Sequence, residues 1–149
     1  MSLLKIRSRD IVAVLDGRKA IIMRNEGDAI YPKLVVLEAL EHEQAPNREL
    51  HTDRPGRVRQ SAASFRSSVE VTDRHDEAES AFVQSISKRL DELISVEKDC
   101  GIIVVAPPRA LGVMRAAYSP AVSSALRAEF DHDWVHLPVG DIEKRLIHT

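Results

Sequence analysis

The sequence predicts an α/β fold with helices on both faces of a mixed sheet, a three-layer arrangement. Three observations point there. The chain opens on an apolar hairpin with Asp16-Gly17 at its turn, carries one long amphipathic helix in its middle, and follows that helix with the unbroken apolar run "GIIVVAPP". At 149 residues, 44% of them hydrophobic, the chain is long enough for one domain with a real core and too short for two, so a single domain over 1–149 is expected.

The elements follow in order. "DIVAVLDGRKAIIMRNEGD" gives strands at about 10 to 16 and 19 to 25, because two apolar runs flank a preferred hairpin dipeptide. "KLVVLEALEHE" fits a helix through Leu34, Leu37 and Leu40, but the β-branched pair Val35-Val36 and the turn signals before it favour a third strand. From 44 to 71 no period persists, and Pro46, Pro55 and Gly56 interrupt any element, so a long loop is expected. Thr72 and Asp73 then offer capping chemistry. Asp76, Glu77 and Glu79 make an acidic first turn, and Ala78, Phe82, Ile86, Leu90, Leu93 and Ile94 form the apolar face of a helix. "GIIVVAPP" is a strand buried on both faces, with Pro108 suited to the first turn of a helix through "RALGVMRAAY". "SPAVSSALRAEF" is expected to be a short helix, "DWVHL" the last strand and "GDIEKRLIH" a C-terminal helix.

The predicted order is β-β-β-α-β-α-α-β-α, which is that of a ribonuclease H-like mixed sheet. A meander followed by right-handed crossovers brings several segments to the carboxyl edge of the sheet, where open α/β sheets place ligands. Those segments are Asp16-Gly17-Arg18, the long loop, the start of the first helix near His75, the "APPR" turn at Arg109, and "LPVGD".

The loop is the chemically distinctive segment. Between Arg48 and Arg66 it holds Arg48, Arg54, Arg57, Arg59 and Arg66 and no lysine, against Glu49 and Asp53, a net +3 in a chain whose total is −2. The protein as a whole has no polyelectrolyte attraction to nucleic acid or membrane, so any such attraction is local. One reading is a solvated loop whose arginines pair with nearby acids. The other is a clamp for phosphate or RNA backbone, since guanidinium offers planar paired donors matched to phosphate oxygens. Arg54, Arg57 and Arg59 flank the Pro55-Gly56 turn and are its centre, with Arg18, Arg48, Gln60, Arg66 and Arg109 as further contacts.

Catalytic patterns are thin. Asp10 and Asp16 bracket the first strand and Glu77 and Glu79 begin the helix, but the fourth strand ends in Ala106-Pro107-Pro108 with no acid for a third ligand of a metal nuclease. His132 and His136 could meet only if the last strand were a helix, so no metal site is expected. No Gly-x-Ser-x-Gly element is present. The single cysteine, Cys100, excludes an internal disulfide and stands beside an apolar run, as a buried thiol would. No export signal or membrane span is evident, so a cytoplasmic protein without membrane insertion, resident metal or cofactor is expected.

With "ELHTDRPGRV", "SSVEVTDRHDEAESAFVQSISKRL" and "IIVVAPPRALGVMR" the chain resembles, over nearly its full length, the bacterial host attachment protein family, named for a role in attachment to host cells. That family is in turn similar, in the order of its elements, to the middle domain of archaeal and eukaryotic peptide-chain release factors, whose Gly-Gly-Gln loop enters the ribosomal peptidyl-transferase centre. The corresponding stretch here is "VRQSAASFR". Gln60, Ser61, Phe65 and Arg66 match in type, whereas Val58 and Arg59 replace the two glycines and lack their backbone freedom. The resemblance implies a binding domain facing RNA or the ribosome, with release-factor-like hydrolysis and metal nuclease activity as minor alternatives. An attachment factor acting through protein partners is the main alternative.

Overall fold

The computed structural model describes residues 5–42, 64–97 and 99–148, with the side chains of the long helix described from Asp76 onward. Among these residues the chain forms five strands and four helices: β1 (Ile11–Leu15), β2 (Lys19–Asn25), β3 (Leu34–Glu41), α1 (Ser64–Val96), β4 (Ile102–Ala106), α2 (Pro108–Ala117), α3 (Pro120–Ala125), β5 (Leu126–Asp131) and α4 (Val139–Ile147). The strands make one mixed sheet in the order β3-β2-β1-β4-β5. β2 is antiparallel to both β1 and β3, while β4 is parallel to β1 and β5 to β4.

Alternation along the two central strands builds two cores. Ile11, Ala13 and Leu15 of β1, with Ile102, Val104 and Ala106 of β4, face Val83, Ile86, Leu90 and Ile94 of α1 together with Leu111 and Met114 of α2 and Val122 beside them. Val12, Val14, Ile103 and Val105 face the opposite way, onto Ile6, Trp134, Val135, and Ile142 and Leu146 of α4. Every residue of β1 and β4 is buried, which is why both strands are continuous apolar runs. Helices therefore cover both faces. The Glu143 carboxylate secures α4 to the sheet by accepting the Leu34 backbone N–H at 2.8 Å.

The hairpin turn departs from the usual Asp-Gly geometry. A type I′ turn needs positive φ at both central residues, yet no glycine among the described residues has positive φ. The Asp16 side chain holds the turn instead, its Oδ1 accepting the backbone N–H groups of Arg18 and Lys19 at 2.8 Å each. Gly17 lets the Glu79 side chain lie close against the turn, since a Cβ there would stand 2.8 Å from Glu79 Oε1 and displace the carboxylate.

Three expectations are corrected. The first helix starts at Ser64 rather than Thr72, so residues 64–71 of the expected loop are helical. Thr and Asp favour caps, but inside a helix they cost only about 0.7 kcal/mol or less each, and a helix of 33 residues anchored by its packed half absorbs that. The last strand is "LRAEFD", not "DWVHL", and the helix before it ends at Ala125. Trp134 and Val135 are buried as anchors of a turn after β5, with Leu137 N–H donating to Trp134 O at 3.0 Å.

Candidate functional site

β1, β3, β4 and β5 all end at the carboxyl edge, and exposed charged groups gather there. Arg18, in the hairpin turn, donates from Nε to Glu79 Oε2 at 3.2 Å. Arg109, in the first turn of α2, pairs through Nη2 with Asp76 Oδ2 at 3.0 Å. Asp76 and Glu79 lie one turn apart on α1, so one acidic step of that helix holds both guanidinium groups. The two arginine side chains are 59% and 75% exposed, and ion pairs so open to water contribute only about 0–1 kcal/mol. Gly17, Ser80, Pro107 and Val113 line a small cavity of about 100 Å³ between them.

The arginine-rich segment leaves from the same edge. The His42 backbone N–H donates to Arg18 O at 2.6 Å, tying the end of β3 to the hairpin turn immediately before residue 43. The chain reappears in α1, where residues 64–75 carry it about 18 Å along the helix axis before Asp76, at 1.5 Å per residue. Arg66 belongs to this stretch. Arg48, Arg54, Arg57, Arg59 and Gln60 lie outside the described residues.

The edge also holds a group that the sequence did not reveal. His136 Nε2 lies 3.5 Å from Asp16 Oδ2, and Asp133 joins them, so that one ligand-type atom from each residue lies within 4.8 Å of the others. Reading "DWVHL" as a strand hid this meeting. The usable signal was the alternation of Leu126, Ala128 and Phe130 in "LRAEFD", which moves the strand upstream and makes 132–137 a turn.

The carboxylates considered for a nuclease do not come together. Asp10 and Asp16 flank β1 at opposite ends, about 20 Å of extended chain apart. Asp10 is buried at the amino edge, where it accepts the N–H groups of Arg7 and Gly101 at 2.8 Å each and pairs with Arg127. Beside it, burial first, then the negative charges of Asp10 and Glu97, push the Cys100 thiol above its ordinary pKa, away from the thiolate form a nucleophile needs. An open cleft of about 610 Å³ lies there between Arg7, Asp10, Ser95, Cys100 and Arg127. The Asp10 oxygens that face it are already committed to protein donors.

The model of a family described as "Protein required for attachment to host cells" matches residues 11–146, most of the chain. The chain belongs to this host attachment family. The matched span takes in all five described strands and the residues Asp16, Arg18, Asp76, Glu79, Arg109, Asp133 and His136 of the carboxyl edge. No curated protein matches the chain. Among the described residues no helix is long and apolar enough to cross a membrane.

Proposed function

We propose that this member of the host attachment family is a binding domain that docks on RNA, the ribosome included, through the carboxyl edge of its sheet. What supports the reading is one juxtaposition. Arg18 and Arg109 stand exposed on the edge from which the segment carrying Arg48, Arg54, Arg57 and Arg59 departs. Their weak surface pairs with Glu79 and Asp76 can be exchanged for phosphate oxygens at little cost. The strand order, with β2 antiparallel to its neighbours, is read as ribonuclease H-like, and the likeness to release factor middle domains adds the ribosome as the RNA to try first. On this reading the protein works in the cytoplasm and affects attachment indirectly.

The test is sucrose-gradient co-sedimentation with ribosomes at low and high salt. The expected result is binding that weakens as salt rises, because phosphate contacts release counterions. Replacing Arg54, Arg57 and Arg59 together by Ala should abolish it, and replacing Arg18 and Arg109 should weaken it. Binding that ignores salt, or a triple variant that sediments like wild type, overturns the reading.

A second reading, an attachment factor acting through a protein partner, is favoured by the outer edge of the sheet. β3 ends the sheet among the described strands, and Val35 and Val36 are exposed along it, with Ile30 and Tyr31 exposed in the loop before it. An apolar edge strand invites pairing with another chain. If that edge docks a protein, in-cell crosslinking should recover envelope proteins and no RNA, and Val36→Lys should lose them. Recovery of RNA, unchanged by Val36→Lys, would rule this out.

A further inference from the structure

The geometry points to a surface site for a divalent transition-metal ion, Zn²⁺ before others, held by Asp16, Asp133 and His136. Each residue offers one ligand atom, and the three atoms lie within 4.8 Å of one another. Around a tetrahedral Zn²⁺ with bonds of about 2.0–2.2 Å, ligand atoms stand about 3.3–3.6 Å apart. His136 Nε2 and Asp16 Oδ2 are already 3.5 Å apart.

The supports of the three residues are what distinguish them from a chance meeting of charges. Asp16 Oδ1 is occupied by the N–H groups of Arg18 and Lys19, which aims Oδ2 at His136. Asp133 and His136 flank Trp134 and Val135, both buried, so the turn carrying them is anchored in the core. His132 stacks on Trp134 with ring centres 4.7 Å apart and planes 4° from parallel, and the Arg145 guanidinium lies 5.7 Å from the same indole. His132 N–H donates to Ala106 O at 3.1 Å, fixing the start of the turn to the end of β4. Asp16 is thus oriented by outer hydrogen bonds, as metal ligands are, while for Asp133 and His136 it is the backbone of the turn that is anchored and their side chains are exposed.

An imidazole with two carboxylates suits Zn²⁺ better than Mg²⁺, which keeps to oxygen ligands and its own water. Three protein ligands leave a coordination position open to water or to an anion. The site uses no residue of the arginine-rich segment, so it stands or falls separately from RNA docking.

The test uses the untagged full chain, stripped with chelator and titrated with ZnCl₂ in a calorimeter. In parallel, CoCl₂ is titrated against the fluorescence of Trp134, the one tryptophan in the chain. The expected result is one Zn²⁺ per chain, no competition from excess MgCl₂, and quenching by Co²⁺ that Zn²⁺ reverses. His136→Ala, Asp133→Asn and Asp16→Asn should each weaken binding by roughly tenfold or more, the loss that even outer-shell partners can cause. Asp16→Asn keeps an amide oxygen for the two turn N–H groups, so its loss of binding is not a loss of fold, which circular dichroism checks. His148→Ala should bind like wild type. Absence of stoichiometric Zn²⁺ binding, or retention of wild-type affinity by the His136 and Asp133 variants, overturns the site.

Discussion

Asp10→Ala is expected to lower stability by about 3 kcal/mol, the low end of what removing one partner of a buried ion pair costs, and the melting temperature by about 6–12 °C. Asp10 is 1% exposed and joins three elements: the turn before β1 through Arg7 N–H, the entry to β4 through Gly101 N–H, and β5 through Arg127. Truncation leaves the Gly101 N–H without its acceptor and the Arg127 guanidinium without its counter-charge. Arg127 keeps some access to water, which places the estimate at the low end. Gly101 belongs to the same device, because a Cβ there would meet Arg127 Cδ at 2.0 Å and push the guanidinium off Asp10. Asp10→Asn, which keeps one acceptor, should lose clearly less. Urea unfolding followed by circular dichroism measures both variants. A change under about 1 kcal/mol for Asp10→Ala, the scale of an exposed pair, would show the cluster to be peripheral.

How much of this was legible in the sequence depends on how many faces of each element are buried. β1 and β4 are buried on both faces, so "IVAVL" and "IIVVA" announce themselves as apolar runs. β5 is an edge strand with half-buried residues, and its register shifts between Ile102 and Ile103 of β4, so that Arg127 falls out of step. Its alternation is short and broken, while the stronger β-formers Trp134 and Val135 belong to a turn. The start of α1 was hidden because residues that cap helices also sit inside them when packing elsewhere carries the element. The candidate site divides in the same way. Arginine enrichment is a local compositional fact and can be read directly, and Asp16 and Arg109 follow from strand ends. The approach of His136 to Asp16 joins residues far apart in sequence and rests on where β5 ends. No local pattern encodes it.

The two ends of the sheet differ in how their polar groups are used, and a second substitution at the amino edge tests that difference. Asn25, buried at the end of β2, accepts the N–H groups of Gly27 and Lys33 at 2.9 and 2.8 Å through Oδ1. Its Nδ2 donates to the carbonyls of Ile6, Arg7 and Asp28 at 2.8, 3.1 and 3.3 Å. One side chain thus closes the loop between β2 and β3 and clips the N-terminal segment, whose Ile6 fills the second core, to the sheet. Asn25→Ala strands these groups together, at about 1–3 kcal/mol for each buried group that water cannot reach. The expected loss is about 3–5 kcal/mol, above the usual ~0.5–3 kcal/mol of single substitutions because a buried hydrogen-bond network is broken. Asn25→Asp keeps the acceptor bonds and loses the donor ones, so it should also be less stable than wild type. At this edge nearly every buried polar side-chain atom has a protein partner; Arg24 Nε is the exception among the described residues, and its Nη2 lies 3.8 Å from Glu97. At the carboxyl edge the charged groups are exposed and loosely paired. Asn25→Ala and Asp10→Ala should therefore reduce stability while leaving Zn²⁺ and ribosome affinities unchanged below the new melting point. Variants at Arg18 or Arg109 should lower ribosome affinity, and variants at His136 Zn²⁺ affinity, with stability unchanged. If Asn25→Ala instead abolished binding at a temperature where the protein is still folded by circular dichroism, the separation of a structural edge from a binding edge would fail.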